Sequence, residues 1–142
     1  MPECEFPKEN ATSDEIAAML RSTKIIAIVG LSPKPERPSF SVSSYMKDQG
    51  YTIIPVNPGQ KEILGEKAYA SLKEIPGPVD MVTIFREPAA VPEIVDQAIA
   101  IGAKIIWMQE GIVHNASAEK ARAAGLKVVM NKCLFKEHSR LA

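Results

Sequence analysis

The sequence has no excess of either charge and no long apolar run. Its 17 basic and 17 acidic side chains balance. Without a net electric field the chain would not hold a polyanion, so we expect no nucleic-acid partner. The polar, acidic N-terminus does not have the composition of a secretory signal, and no apolar run approaches the roughly 18 residues that span a bilayer. We therefore expect a cytoplasmic protein with no membrane partner.

Cysteine and histidine are scarce, with two of each. A bond between Cys4 and Cys133 would join the two ends of the chain, and cytosolic glutathione opposes such a bond, so we expect two free thiols. The spacings of these residues match no zinc pattern, and no Ser, His and Asp set is visible. We expect His114 and His138 to be surface residues rather than bases. The sequence thus predicts no metal site and no catalytic residue.

What the sequence does contain is an alternation of strand-like and helix-like segments. Apolar runs predict strands at residues 25–30, 51–56, 80–85, 104–109 and 127–131. Capping residues and prolines predict helices at residues 13–22, 38–50, 71–75, 92–102 and 117–125, with Ser or Asp as the cap of the first. Residues 61–69 are ambiguous, and residues 136–140 are interpreted as part of a charged tail.

This alternation predicts a single α/β domain. Strands that alternate with helices of about ten residues form βαβ units, and these give a parallel sheet with helices on both faces. We therefore expect a doubly wound, Rossmann-like, five-stranded sheet. At 142 residues the chain has the length of one domain. Residues 1–22 form an N-terminal tail and short helix in this interpretation, and residues 23–142 form the domain itself.

The loop after the first strand is a candidate phosphate site. In a doubly wound sheet the ligand lies at the carboxyl ends of the strands. Gly30 would let the backbone approach a phosphate, and the helix that begins at Pro38 presents its positive end to an anion. Lys34 and Arg37 add positive charge in the same loop. A tight turn with solvated side chains fits these residues too, so the loop by itself leaves both interpretations open.

The loop after the second strand separates NAD from other nucleotides. An NAD site usually has Asp or Glu about 20 residues after its glycines, where the acid binds the ribose hydroxyls. This chain has Asn57 and Pro58 there, and Lys61 follows. A lysine favours a ribose that carries a phosphate, as in NADP or coenzyme A. The same Asn-Pro-Gly segment is also compatible with an ordinary turn.

Five motifs in order resemble one family. They are GLS at residues 30–32, RPS at 37–39, VNP at 56–58, GAKIIWMQEGI at 102–112 and NKCLFKEH at 131–138. Together they resemble the small single-domain CoA-binding proteins, which are similar to the amino-terminal CoA-binding domain of the succinyl-CoA synthetase α subunit. The resemblance covers the chain from Lys24 to its end, and it implies coenzyme A or an acyl-CoA as the ligand.

The resemblance also implies where the ligand lies. The first loop would follow the pyrophosphate, and Lys61 would match a synthetase lysine, although one residue is inserted before it. The segment at residues 108–110 would contact the pantetheine arm, and the loop at 85–88 would flank adenine, although it lacks the successive prolines of the synthetase. The implied ligand contacts are Gly30, Ser32, Pro33, Lys34, Arg37, Ser39, Asn57, Pro58, Lys61, Phe85, Arg86, Met108, Gln109, Glu110, Gly111 and Cys133.

The expected role is binding without catalysis, in carriage, sensing or partner regulation. The sequence leaves open whether the chain binds a protein partner or forms a homo-oligomer. Three alternatives also stay open. The first is an NADP-dependent or NADP-sensing protein. The second is an enzyme that uses Cys133 in disulfide exchange with CoA, activated by nearby lysines, although Cys133 also fits as a small residue packed at a strand end. The third is a structural module without nucleotide affinity.

Overall fold

The computed structural model describes residues 6–141, so Cys4 lies outside the described residues. The strands are β1 (Ile25–Val29), β2 (Thr52–Val56), β3 (Glu62–Ile63), β4 (Glu66–Lys67), β5 (Met81–Ile84), β6 (Ile105–Met108) and β7 (Lys127–Val129). Five of them form one parallel sheet in the order β2-β1-β5-β6-β7. The helices are α1 (Ser13–Ser22), α2 (Pro38–Asp48), α3 (Val91–Ala100), α4 (Asn115–Ala123) and α5 (Leu134–Ser139). Short 3₁₀ helices occupy Leu72–Glu74 and Pro88–Ala90.

The expected doubly wound parallel sheet is confirmed. Successive side chains of a strand point to opposite faces. Ile26 and Ile28 accordingly pack with α1, α2 and α5, whereas Ala27 and Val29 pack with α3 and α4. Both faces are therefore covered, which explains why the strand sequences are continuously apolar rather than alternating.

The strand order reverses between β1 and β5. From β1 the chain moves outward to β2, and it then crosses back to place β5 on the other side of β1. Ligands of doubly wound sheets bind in the crevice at such a point. The residues that follow β1 and β5 therefore lie at the crevice where a ligand is expected.

The ambiguous segment at residues 61–69 folds as a hairpin. Strands β3 and β4 pair antiparallel, and Leu64 and Gly65 between them have φ values of 56° and 74°. Two positive φ values are what a tight two-residue hairpin turn requires. Lys47 of α2 donates to the carbonyl of Leu64 at 2.6 Å and pairs with Glu66 at 3.1 Å, which ties the hairpin to the domain.

The capping residues of two helices differ from the sequence prediction. The cap of α1 is Thr12, whose hydroxyl accepts from the Glu15 amide while the Glu15 carboxylate accepts from the Thr12 amide. The hydrogen bond from the Thr12 amide to the carboxylate holds the pKa of Glu15 below its ordinary value. Helix α4 begins two residues earlier than expected, because His114 Nδ1 accepts from the Ser117 amide at 3.1 Å. His114 is thus a half-buried capping residue.

The expected charged tail is the helix α5. Its buried Leu134 enters the core, and His138 Nδ1 lies 2.9 Å from the Tyr45 hydroxyl. The His138 ring also contacts the ring of Tyr51, whose pKa is raised by burial. His138 is half-buried, and this cluster holds α5 against α2.

The segment at residues 6–10 lies along the end of β7. Asn10 Nδ2 donates to the Met130 carbonyl at 2.8 Å, and the Met130 amide donates to Asn10 Oδ1 at 2.9 Å. The Lys8 amide donates to Asn115 Oδ1 at 2.9 Å. These contacts satisfy backbone groups beyond the end of an edge strand. No helix within residues 6–141 is long and apolar enough to cross a bilayer.

Candidate functional site

Three adjoining cavities follow the carboxyl edge of the sheet. The Asn57 cavity, of about 360 Å³, is lined by residues that include Gly30, Asn57, Pro58, Arg86, Glu93 and Gln97. The Arg37 cavity, of about 370 Å³, is lined by residues that include Gly30, Ser32, Lys34, Arg37, Ser39 and Phe85. The Gln109 cavity, of about 450 Å³, is lined by residues that include Phe85, Arg86, Gln109, Glu110, Gly111 and Cys133.

The cavities meet where the strand order reverses. Gly30 lines the first two, Arg86 lines the first and third, and Phe85 lines the second and third. Gly30 has φ +90°, and a Cβ built there would lie 2.5 Å from the Phe85 carbonyl oxygen and 3.1 Å from Arg86 Cδ. The ends of β1 and β5 therefore approach so closely that only glycine fits between them.

Hydrogen bonds fold the first loop over the start of α2. The Ser32 amide donates to Ser39 Oγ at 2.9 Å, and the Lys34 amide donates to Ser32 Oγ at 3.1 Å. Arg37 precedes α2 without capping it through its side chain, and the first turn of α2 has no acidic residue. Lys34 and Arg37 are exposed, and within residues 6–141 neither belongs to an ion pair. The loop thus presents two cations beside a helix N-terminus, an arrangement suited to an anion.

Asn57 joins the second loop to the first. Its Nδ2 donates to the Leu31 carbonyl at 3.0 Å, and its Oδ1 accepts from the Gly59 amide at 2.8 Å. Both ends of the amide are used in the fold, so Asn57 shapes the cavity wall. Pro58 lines the same cavity, whereas the exposed Lys61 lines none of the three.

The rim of the Gln109 cavity carries paired charges. Glu110 bonds Lys136 at 2.9 Å, and Arg86 bonds Glu87 at 3.1 Å. The hydrogen bond from Lys136 to Glu110 raises the pKa of the Lys136 ammonium, and the one from Arg86 lowers the pKa of Glu87. Because these charged side chains pair with one another, the polar groups of this cavity that have no charged partner are neutral.

Two backbone features shape the far side of the Gln109 cavity. The Gly111 amide donates to Asn131 Oδ1 at 2.7 Å, and Asn131 itself has φ +58°. Cys133 is a half-buried free thiol in the cavity wall. Within residues 6–141 no group of three or more His, Cys, Asp or Glu side chains could hold a metal ion.

Some residues singled out from the sequence lie away from the cavities. Met108 is fully buried in the core between the sheet and α3 and α4, so its side chain does not reach the cavities. Pro33 is exposed and does not line the cavity walls. Trp107 is fully buried, and its indole N–H donates to the Lys132 carbonyl at 2.8 Å.

Sequence reasoning missed one wall of the Asn57 cavity. Glu93 and Gln97 of α3 line it together with Ser71. The spacing of four residues between Glu93 and Gln97 places them on one helix face, which is the signal that was available. Nothing in the local sequence indicates that this face turns toward the end of β1.

Comparison with known proteins assigns the chain to a family. The model of the CoA binding domain matches residues 24–139. The protein YneT of Bacillus subtilis is 40% identical over 131 residues, which are 92% of this chain and 97% of that protein. A solved structure of a hypothetical protein from Pyrococcus horikoshii OT3 has a TM-score of 0.91 and 41% identity, with 99% of both chains covered.

More distant relatives are much longer. The α subunit of ADP-forming acetate–CoA ligase I from Pyrococcus furiosus is 33% identical over 126 residues, and these are 78% of this chain but 27% of that subunit. The chain therefore spans about a quarter of this ligase subunit, whereas it matches YneT over nearly the whole length of both.

Proposed function

Because the chain belongs to the CoA-binding domain family, we propose that it binds coenzyme A or an acyl-CoA along the carboxyl edge of its sheet. The observation that carries the proposal is the junction at Gly30, where two exposed cations and an uncapped helix start surround a backbone that admits no Cβ. Such a junction suits a pyrophosphate, because backbone amides and a guanidinium fork can both reach phosphate oxygens.

The shape of the edge supports an extended ligand. Coenzyme A joins an adenosine to a pantetheine arm through a pyrophosphate. We place the pyrophosphate in the Arg37 cavity, the adenosine in the Asn57 cavity and the pantetheine arm in the Gln109 cavity. The Arg37 cavity shares Gly30 with the Asn57 cavity and Phe85 with the Gln109 cavity. One continuous molecule can therefore occupy all three, with its pyrophosphate in the middle.

We propose a carrier or sensor role that involves a separate protein. The CoA-binding region of the ligase relatives is part of a longer chain. No Ser, His and Asp set lines the three cavities, so the walls offer binding groups in place of a catalytic set. A carrier would present the thiol or acyl end of its ligand at the Gln109 cavity.

Isothermal titration calorimetry and thermal unfolding with CoA, dephospho-CoA, NAD and NADP test the proposal. A ligand at about 100 times its dissociation constant adds roughly 2.7 kcal/mol to the free energy of unfolding, which raises Tm by several degrees. We expect CoA and dephospho-CoA to give this shift and the nicotinamide nucleotides to give none. A shift with NADP alone, or with none of the four, would overturn the proposal.

A second candidate function is thiol–disulfide exchange, favoured by the position of Cys133 in the Gln109 cavity. The Cys133 thiolate would attack CoA disulfide, form a Cys133–CoA disulfide and release one CoA thiolate, so that electrons balance. Intact-mass spectrometry after incubation with CoA disulfide should then show one added CoA, reversed by dithiothreitol and absent in Cys133→Ser. An unmodified wild-type protein excludes this function and leaves CoA binding untouched.

A further inference from the structure

Gln109 has a buried hydrogen-bond donor that nothing in the described fold uses. Its side chain is 4% exposed, and within residues 6–141 its Nε2 has no hydrogen-bond partner. The Leu134 amide donates to Oε1 at 3.4 Å, which assigns the two ends of the Gln109 amide. Leaving a buried N–H unpaired is costly, so native proteins rarely retain one without a reason.

The cavity that Gln109 lines is otherwise largely apolar. Its walls include Pro38, Val42, Phe85 and Ile112, and its volume of about 450 Å³ lies in the range of small-molecule sites. It shares Pro38 and Phe85 with the Arg37 cavity, where we place the pyrophosphate. A ligand arm that enters from there meets apolar walls and Gln109, the residue that carries the buried, unpaired Nε2.

The charged side chains at this cavity bind one another. Glu110 is paired with Lys136, and Arg86 is paired with Glu87. A ligand carboxylate would face the Glu110 and Glu87 carboxylates, and the cations beside them are already paired. A neutral carbonyl oxygen meets no such repulsion, and it is the acceptor that the Gln109 amide lacks.

We propose that the Gln109 cavity binds the acyl-thioester end of an acyl-CoA with a short, neutral acyl group, and that Gln109 Nε2 donates to the thioester carbonyl oxygen. This inference rests on the proposed function, because it takes the pyrophosphate position as given. Its consequence is selectivity: the protein binds acyl-CoA more tightly than a CoA derivative of equal length that has no thioester carbonyl.

The test compares acetyl-CoA with S-ethyl-CoA, a thioether of the same length without the carbonyl oxygen, by isothermal titration calorimetry. One satisfied hydrogen bond should make acetyl-CoA about tenfold tighter for the wild-type protein. Gln109→Glu retains an acceptor for the Leu134 amide but has no Nε2, and Gln109→Met removes the amide at nearly constant length. Both variants should bind the two ligands equally. Thermal unfolding of each variant shows which of them folds.

The outcomes separate this inference from the function on which it rests. If free CoA binds but acetyl-CoA and S-ethyl-CoA bind equally to the wild-type protein, the inference fails and CoA binding stands. If the Gln109 variants lose affinity for free CoA as much as for acetyl-CoA, the amide binds the pantetheine arm and the inference also fails. If none of the three ligands binds, the proposed function itself is wrong. Succinyl-CoA should bind more weakly than butyryl-CoA, since only the former brings a carboxylate to Glu110.

Discussion

Replacing Gly30 with alanine is expected to lower Tm by roughly 10 °C and to abolish CoA binding. The new Cβ would lie 2.5 Å from the Phe85 carbonyl oxygen, a backbone atom that cannot turn away, and the φ of +90° would be strained for any L side chain. Backbone strain and overpacking each cost about 1–3 kcal/mol, and for a domain of this size 1 kcal/mol corresponds to several degrees. Binding fails because relief of the contact separates β1 from β5 at the junction of the three cavities.

Gly102→Ala is the matched control for this prediction. Gly102 also has a positive φ, +76°, but a Cβ there meets nothing within 4 Å, and it lines none of the three cavities. Its substitution should cost about 1 kcal/mol and leave CoA affinity unchanged. Differential scanning calorimetry and CoA titration of both variants separate strain from contact. Equal losses in the two variants would mean that the close approach at Gly30 contributes nothing.

The double variant Lys34→Ala/Arg37→Ala is expected to lose about 100-fold in CoA affinity while its Tm without ligand stays within about 2 °C. Both side chains are exposed and make no ion pair with the described residues, so their removal breaks nothing in the fold. A hydrogen bond from a cation to phosphate contributes about 1.5–3 kcal/mol to the binding free energy. Solvent screens the charges at an exposed site, so we expect a contribution near the lower end of this range. Each residue therefore accounts for about tenfold.

The control for charge is Lys120→Ala/Arg140→Ala. This variant also removes two exposed cations, but Lys120 pairs with Asp96 and Arg140 with Glu137, away from the three cavities. Calorimetric titration with CoA should give the wild-type dissociation constant. If this control weakens binding as much as the loop variant, the effect is one of net charge. Raising the salt concentration should weaken CoA binding to the wild-type protein more than to the loop variant.

The resemblance inferred from five short motifs is confirmed by the family match over residues 24–139. The motifs sufficed because each lies where a strand ends or a helix begins, so its residue types follow from local backbone demands. GLS contains Gly30, the glycine that the close approach of β1 to β5 requires. RPS starts α2 with a proline, whose missing N–H costs nothing at that position. The order of the five motifs along the chain made the resemblance specific to one family.

The predictions that failed concerned the cap of α4 and the existence of α5. The cap of α4 is His114, a residue that seldom indicates a helix start, and α5 is too short for periodicity to separate it from a charged tail. These outcomes depend on which face of an element meets its neighbours.

The sequence by itself determined the fold class and the family, because periodicity, glycine and proline act through local backbone geometry. Only the tertiary structure decided which strand ends meet. The order β2-β1-β5-β6-β7 brings Phe85 against Gly30, turns α3 toward the Asn57 cavity and buries the Gln109 amide without a partner. Each of these results from packing between residues far apart in the chain, for which no local pattern exists.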